Sequence, residues 1–259
     1  EGKVFLYRGS ATGLSTTASW TFVGAQASAN AGTAISRAGD VNGDGYSDIL
    51  IGAPLYDMPL TSEGAVWLFL GSATGPQATP SWTKYGGVAS AQLGYSLSDA
   101  GKLNNDNYAD FVLGAPFYKN TLTGEGAAFI YYGSATGPEA TPVMAYGGQA
   151  NANFGKLVVN GGDADHDGYN EIIVAAPLYD NGQTNEGMIY GFQGTDQGIM
   201  TSSIWKYEPN QASSNAGSGI AGNLDINGDS YSDLVIGAST YDITNTNDGA
   251  IFVFYGNPP

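Results

Sequence analysis

Apolar and polar residues alternate in short runs along this chain, and the runs return at a fixed interval. The phrase EGKVFLYRGSATG opens at Glu1, EGAVWLFLGSATG at Glu63, EGAAFIYYGSATG at Glu125, EGMIYGFQGTDQG at Glu186 and DGAIFVFYGNPP at Asp248. The spacing of 61 or 62 residues gives four repeats, 1–62, 63–124, 125–185 and 186–247, plus one further copy of the opening strand in 248–259. We treat 1–259 as a single repeat region. A period of this size marks a repeat architecture.

Within each repeat the pattern predicts four strands. The first is the alternating run after Glu-Gly, such as 66–70. A Gly-Ser-Ala-Thr-Gly turn leads to a second around Trp20, Trp82, 143–146 and 204–207. A polar Gln-Ala-Ser/Asn-Ala phrase precedes a third at 33–38, 94–98, 154–159 and 218–221. An acidic loop joins it to a fourth at 49–52, 111–114, 172–175 and 234–237. The fourth runs (ILIGAP, FVLGAP, IIVAAP, LVIGAS) are continuously apolar, so both faces are expected to be buried between neighbours. Small residues there, such as Gly52, Ala53, Gly114 and Ala115, permit close backbone approach. No stretch has helical periodicity. The prediction is all-β: a β-propeller of four-stranded antiparallel blades with calcium-binding loops. A β-solenoid is the alternative, but its coils are usually much shorter.

Composition agrees with many short strands joined by turns. Of 259 residues, 39 are Gly and 17 Tyr, and only 12% are charged. There is no cysteine, so no disulfide holds the fold. No apolar run reaches the ~18 residues of a membrane span. The chain opens at Glu1 without a start methionine or leader, which reads as a processed or excised chain. The net charge of -16 argues against nucleic acid and anionic membrane as partners.

Half of the acidity sits in four loops. Residues 163–171 read DADHDGYNE, with carboxylates at positions one, three, five and nine and Gly168 at six. Oxygen ligands at alternate positions, a glycine for the turn and a backbone carbonyl at position seven suit a hard cation wrapped by a short loop. Asp163, Asp165, Asp167 and Glu171 would supply side-chain oxygens, and Tyr169 its carbonyl. Without a cation, each pair of charges at ~5 Å and an effective dielectric of ~20 repels by roughly 3 kcal/mol. The phrase recurs at 40–48 (DVNGDGYSD) and 225–233 (DINGDSYSD). A degenerate copy, KLNNDNYAD, lies at 102–110. An EF-hand does not fit: it needs glutamate at position twelve, where Ile51, Val174 and Ile236 stand, and flanking helices.

Phe154-Gly155 before the loop, and Gly52-Ala53-Pro54 and Gly114-Ala115-Pro116 after it, resemble the FG-GAP repeat of integrin α-subunit propellers and large bacterial surface proteins. The resemblance covers the whole chain. It implies one calcium per complete loop, on a single face of the propeller. Carried over residue by residue, the ligands are Asp40, Asn42, Asp44, Tyr46 and Asp48; Asp163, Asp165, Asp167, Tyr169 and Glu171; and Asp225, Asn227, Asp229, Tyr231 and Asp233. About three Ca2+ sites result. In the second loop Lys102 holds position one and is expected to neutralise Asp106 and Asp110, so Asn104, Asp106, Tyr108 and Asp110 form a weak or absent site. Ser230 and Asn107 replace the loop glycine, and the phenylalanine survives only at Phe154, with Ala31, Leu93 and Ala216 elsewhere. An integrin-like propeller has seven blades; four repeats are present here. The order of strands predicts a start with the last two strands of one blade and an end with the first three of another. A segment of a longer propeller, or a piece that associates with further blades, is favoured over a closed ring of four.

The resemblance implies an extracellular or cell-surface, non-catalytic adhesion or structural module, stabilised by calcium, whose exposed loops meet a protein or glycan ligand. A lectin-like propeller, with Tyr56, Tyr179, Tyr241 and Trp67 stacking on sugars, is one alternative. The non-catalytic propeller portion of a larger secreted enzyme is another. The chain offers little catalytic chemistry of its own. His166 is the only histidine and lies at position four of a loop, where it is expected to face solvent. Asp57, Asp180 and Asp242 recur after Tyr, and their recurrence reads as a structural role rather than a catalytic pair.

Overall fold

The computed structural model describes residues 1–257. Its described residues form nineteen strands and no helix. The chain begins with β1 (Lys3–Leu6), the small hairpin of β2 (Gly9–Ser10) and β3 (Gly13–Leu14), and β4 (Trp20–Val23). β1 and β4 pair as a two-stranded sheet. Three antiparallel four-stranded sheets follow. The first holds β5 (Ala34–Gly39), β6 (Asp48–Ala53), β7 (Ala65–Phe69) and β8 (Trp82–Tyr85). The second holds β9 (Ser96–Gly101), β10 (Asp110–Ala115), β11 (Ala127–Tyr131) and β12 (Val143–Tyr146). The third holds β13 (Leu157–Gly162), β14 (Glu171–Ala176), β15 (Met188–Gln193) and β16 (Trp205–Tyr207). A three-stranded sheet of β17 (Ala216–Leu224), β18 (Asp233–Ala238) and β19 (Ala250–Phe254) closes the described chain. Positions 258 and 259 of the last predicted segment lie outside the described residues.

Each sheet takes its inner two strands from one sequence repeat and its outer two from the next. The innermost strands β5, β9, β13 and β17 neighbour one another in turn, so the sheets stand side by side around an axis as propeller blades. The period-two pattern fills the spaces between them. Leu50, Val66 and Leu68 of the first blade meet Phe111, Leu113 and Phe129 of the second. Val112, Ala128 and Ile130 meet Ile172, Val174 and Tyr190 of the third. Ile173 and Ile189 meet Leu234 and Ile236 of the fourth. β7 and β11 are buried along their whole length because both faces are covered. β19 alternates between partly buried and exposed, with Ile251 74% exposed.

Strand boundaries differ from expectation where glycine bends the chain. The strand expected at 154–159 starts at Leu157, because Phe154-Gly155 forms a corner instead. Gly155 has φ +84°, and Phe154 makes an isolated parallel bridge to Gly126. Gly126 also has positive φ, and a side chain there would overlap the Phe154 carbonyl oxygen. This is where one blade is riveted to the next.

Candidate metal centre

All four acidic loops join the first two strands of a blade, and they line up along one rim. Their backbone links them. Ala109 N–H donates to the Asp40 carbonyl (2.9 Å), Asn170 N–H to the Lys102 carbonyl (2.7 Å) and Ser232 N–H to the Asp163 carbonyl (3.1 Å). Position eight of each loop is thus tied to position one of the loop before.

Inside a loop, carboxylates accept backbone N–H groups, as Asx-type turns do. Asp40 accepts from Asp44 and Gly45, Asp163 from Asp167 and Gly168, and Asp225 from Gly228, Asp229 and Ser230. At position five, Asp44, Asp106, Asp167 and Asp229 accept from the N–H of Tyr46, Tyr108, Tyr169 and Tyr231. At position three, Asn42, Asn104 and Asn227 donate their amides to the position-five carboxylates. Asp165 cannot donate. Gln193 fills in, giving its amide to Asp165 (2.7 Å) and Asp167 (3.1 Å).

Position nine separates the third loop from the rest. Asp48 accepts from Val41 and Gly71, Asp110 from Leu103 and Gly133, and Asp233 from Ile226 and Gly256, so both oxygens of each are partnered. Glu171 is one methylene longer. Its Oε2 accepts from Ala164 (2.7 Å), while Gly194 N–H turns to the Asn170 carbonyl. Glu171 is only 5% exposed, and its Oε1 is buried without a hydrogen bond. One oxygen each from Asp163, Asp165 and Glu171 lies within 4.8 Å of the others. Three clustered carboxylates, one of them buried with an oxygen lacking a hydrogen bond, fit a divalent cation.

Burial raises the proton affinity of four of the loop carboxyls. Desolvation, with smaller contributions from neighbouring acids, pushes Glu171 up to about 8 and Asp110 up to about 7, and raises Asp48 and Asp165. In the second loop the expected neutralisation is not found. The Lys102 ammonium lies 5.8 Å from the Tyr169 ring of the next blade, and the one ion pair among the described residues is Arg37–Asp99. Because Lys102 is anchored through its backbone to Asn170, its side chain runs along the rim rather than into its own loop. His166 is exposed as expected, but it also reaches the fourth loop, with Nδ1 3.2 Å from the Ser230 carbonyl and its ring against Tyr231.

The other candidates have structural work. Asp57, Asp180 and Asp242 each accept an N–H five residues on, from Ser62, Asn185 and Asn247. Their backbones pair doubly with the amides of Gln26, Gln149 and Gln211. Val88 and Lys119 stand at these two positions in the second repeat, which therefore lacks the brace. Tyr56 packs on Trp67, Tyr179 on Tyr190 and Tyr241 on Phe252, so the rings considered for sugar stacking are used between strands.

A second acidic set escaped the reading of the loops. Glu63, Glu125 and Glu186 of the Glu-Gly phrases are 0–2% exposed. Glu125 Oε1 alone accepts from Asn120, Thr121 and Leu122, and Glu63 accepts from Met58, Leu60 and Gly87. They fold the long connections back onto the blades. The recurring Glu-Gly was the available signal.

A family model for the FG-GAP repeat matches residues 31–69, 154–192 and 216–254. The unmatched repeat is the one with Lys102, Val88 and Lys119. The chain is 36% identical to integrin alpha-IIb of Mus musculus over 146 residues, 53% of this chain and 14% of that protein. It is 33% identical to integrin alpha-PS2 of Drosophila melanogaster over 153 residues, 53% of this chain and 11% of that protein. Integrin alpha-6 of Gallus gallus is 35% identical over 155 residues, 59% of this chain and 14% of that protein. The chain therefore spans about one-seventh or less of these relatives.

Proposed function

We propose, on the premise that this chain carries FG-GAP repeats in an integrin α-like β-propeller, that it is a calcium-stabilised, non-catalytic adhesion or interaction module working outside the cell. The Asp163, Asp165 and Glu171 cluster with its unpartnered Glu171 Oε1 carries the metal part of this reading. Asp163, Asp165, Asp167, Glu171 and the Tyr169 carbonyl would hold the ion. Asp40, Asn42, Asp44, Asp48 and the Tyr46 carbonyl, and Asp225, Asn227, Asp229, Asp233 and the Tyr231 carbonyl, would hold two more. The ion supplies charge neutralisation and cross-linking of a loop, so its role is folding rather than chemistry.

Support for the interaction part is the likeness to integrin α chains, together with the commitment of the recurring aspartates and aromatics to turns and packing. No helix among the described residues is long and apolar enough to cross a membrane. The ligand, protein or glycan, would meet the exposed connections on the rigid blades. We further propose that the open faces of the arc, Ile251 and Val253 at one end and Phe5 and Tyr7 at the other, take another blade from a further segment or a second copy.

Thermal melting with calcium and with excess chelator, read together with the mass in solution, tests this. A calcium-dependent rise in melting temperature is the expected result. Identical melts in both conditions would remove the metal, and a monomer with no affinity for a second copy or a further blade would remove the pairing of ends.

A further inference from the structure

Three departures from the repeat pattern meet at one place between the third and fourth blades. Gly191 stands where Leu68 and Ile130, buried to 0% and 3%, plug the equivalent seams. Glu171 replaces the aspartate found at position nine of the other loops, and Asp165 replaces the asparagine at position three. The result is a cleft of about 210 Å³ bordered by Ile173, Ile204, Trp205, Leu234 and Phe254, with Asp165 and Glu171 on its wall.

The vacancy is real space. A Cβ on Gly191 would rest at ordinary contact distance from Trp205 and Ile173, 3.4 and 3.6 Å away. An apolar cavity of roughly 150 Å³ is enough to hold a benzene ring. The cleft therefore has room for an aromatic or short aliphatic body against the Trp205 ring. Its polar end is acidic. The third loop carries four carboxylates where the first and fourth carry three. A divalent ion of charge +2 leaves the third loop more negative than its neighbours. Glu171, which lines this wall, is buried and has one oxygen without a hydrogen bond.

We propose that this cleft binds an organic cation: an ammonium group on a compact apolar body, supplied by a free amine or by a lysine side chain of a partner. The apolar body fills the Gly191 vacancy and lies on Trp205. The ammonium faces Asp165 and Glu171. The site goes beyond the calcium reading and does not depend on it, since Asp165 attracts the cation with or without a metal, more weakly when calcium is bound.

The test is titration of the whole chain with 2-phenylethylamine, with N-acetyl-lysine methylamide and with 3-phenylpropionate. Calorimetry and the methyl resonances of Ile173 and Ile204 report binding, each in calcium and in chelator. Saturable binding of one or both cations, at least ~10-fold tighter than the anion and weakened at least ~10-fold by Gly191→Leu, supports the site. Phenylethylamine alone points to a free amine as the natural ligand, and the lysine analogue alone to a partner's side chain. Asp165→Asn, which restores the asparagine of the sister loops, should weaken the cation several-fold without weakening 3-phenylpropionate. Binding of the anion as tight as the cations, binding unchanged in both variants, or no saturable binding by either cation would overturn the proposal. A melt insensitive to calcium would sink the metal reading alone, and cation binding would then be equal in both buffers.

Discussion

The second and third acidic loops follow the same path with different charges. Both are pinned by position five to the tyrosine N–H, and both bury the residue at position nine. The second does this with Lys102 at position one and no carboxylate there to accept the turn's N–H groups. The loop's shape therefore does not require the first aspartate. Asp163, Asp165, Asp167 and Glu171 are more acid than the turn needs, and the excess is what a cation would use. The comparison separates residues that make the turn from residues that charge it.

Removing calcium should break the comparison most strongly. If each complete loop binds with Kd near ~10⁻⁴ M, ~1 mM calcium stabilises each by about 1.4 kcal/mol, or about 4 kcal/mol for three. Chelation should then lower the melting temperature by on the order of 10 °C, readable by calorimetry.

Proton linkage gives the next effect, on the order of a few kcal/mol. Glu171 and Asp110 have folded-state pKa values raised to about 8 and about 7, so the folded chain holds protons more tightly than the unfolded one. Their contribution to stability is fully present below ~4 and is lost as pH rises through the folded values. In chelator, chemical denaturation should show stability falling from pH 5 to pH 8. Calcium should remove the Glu171 part and leave the Asp110 part, because of these two loops the third alone exchanges its proton for a metal.

Single substitutions sharpen the contrast. Asp163→Asn should cost about 1.4 kcal/mol in calcium and much less in chelator, whereas Lys102→Asn should stay within about 0.5 kcal/mol in both. Lys102→Asp should add a fourth calcium, counted by equilibrium dialysis, if charge alone distinguishes the two loops. The smallest effect concerns the missing brace. Val88→Gln with Lys119→Asp should add about 1 kcal/mol to urea stability through three new hydrogen bonds.

Much of this was legible in the sequence because it is local. Alternation marks the strands, and spacing within nine residues marks the loops. The split of each sheet across two repeats was also visible, in the surplus strand at 248–259. What was hidden depends on residues far apart. Glu63 looks like an exposed polar residue beside a strand until Gly87, 24 residues on, is brought to its carboxylate. Lys102 looked like an internal counter-ion because its nearest acids in sequence are its own loop's, yet its neighbour in space is Tyr169. The Gly191 cleft was invisible for a related reason. A glycine in a strand shows what is absent only once the side chains of the opposing blade are in place.

The offset between sheet and repeat also sets an order of assembly. No complete blade finishes with its own repeat. β5 and β6 wait for β7 and β8, which belong to the following one. At synthesis rates of ~5–20 residues per second, each blade would stay half-built for several seconds after its inner strands emerge. During that interval the edge of β6, β10 or β14 is unpaired. The acidic rim lies at one end of those same waiting strands, so the nascent chain carries its like charges where an open edge would otherwise recruit a stranger.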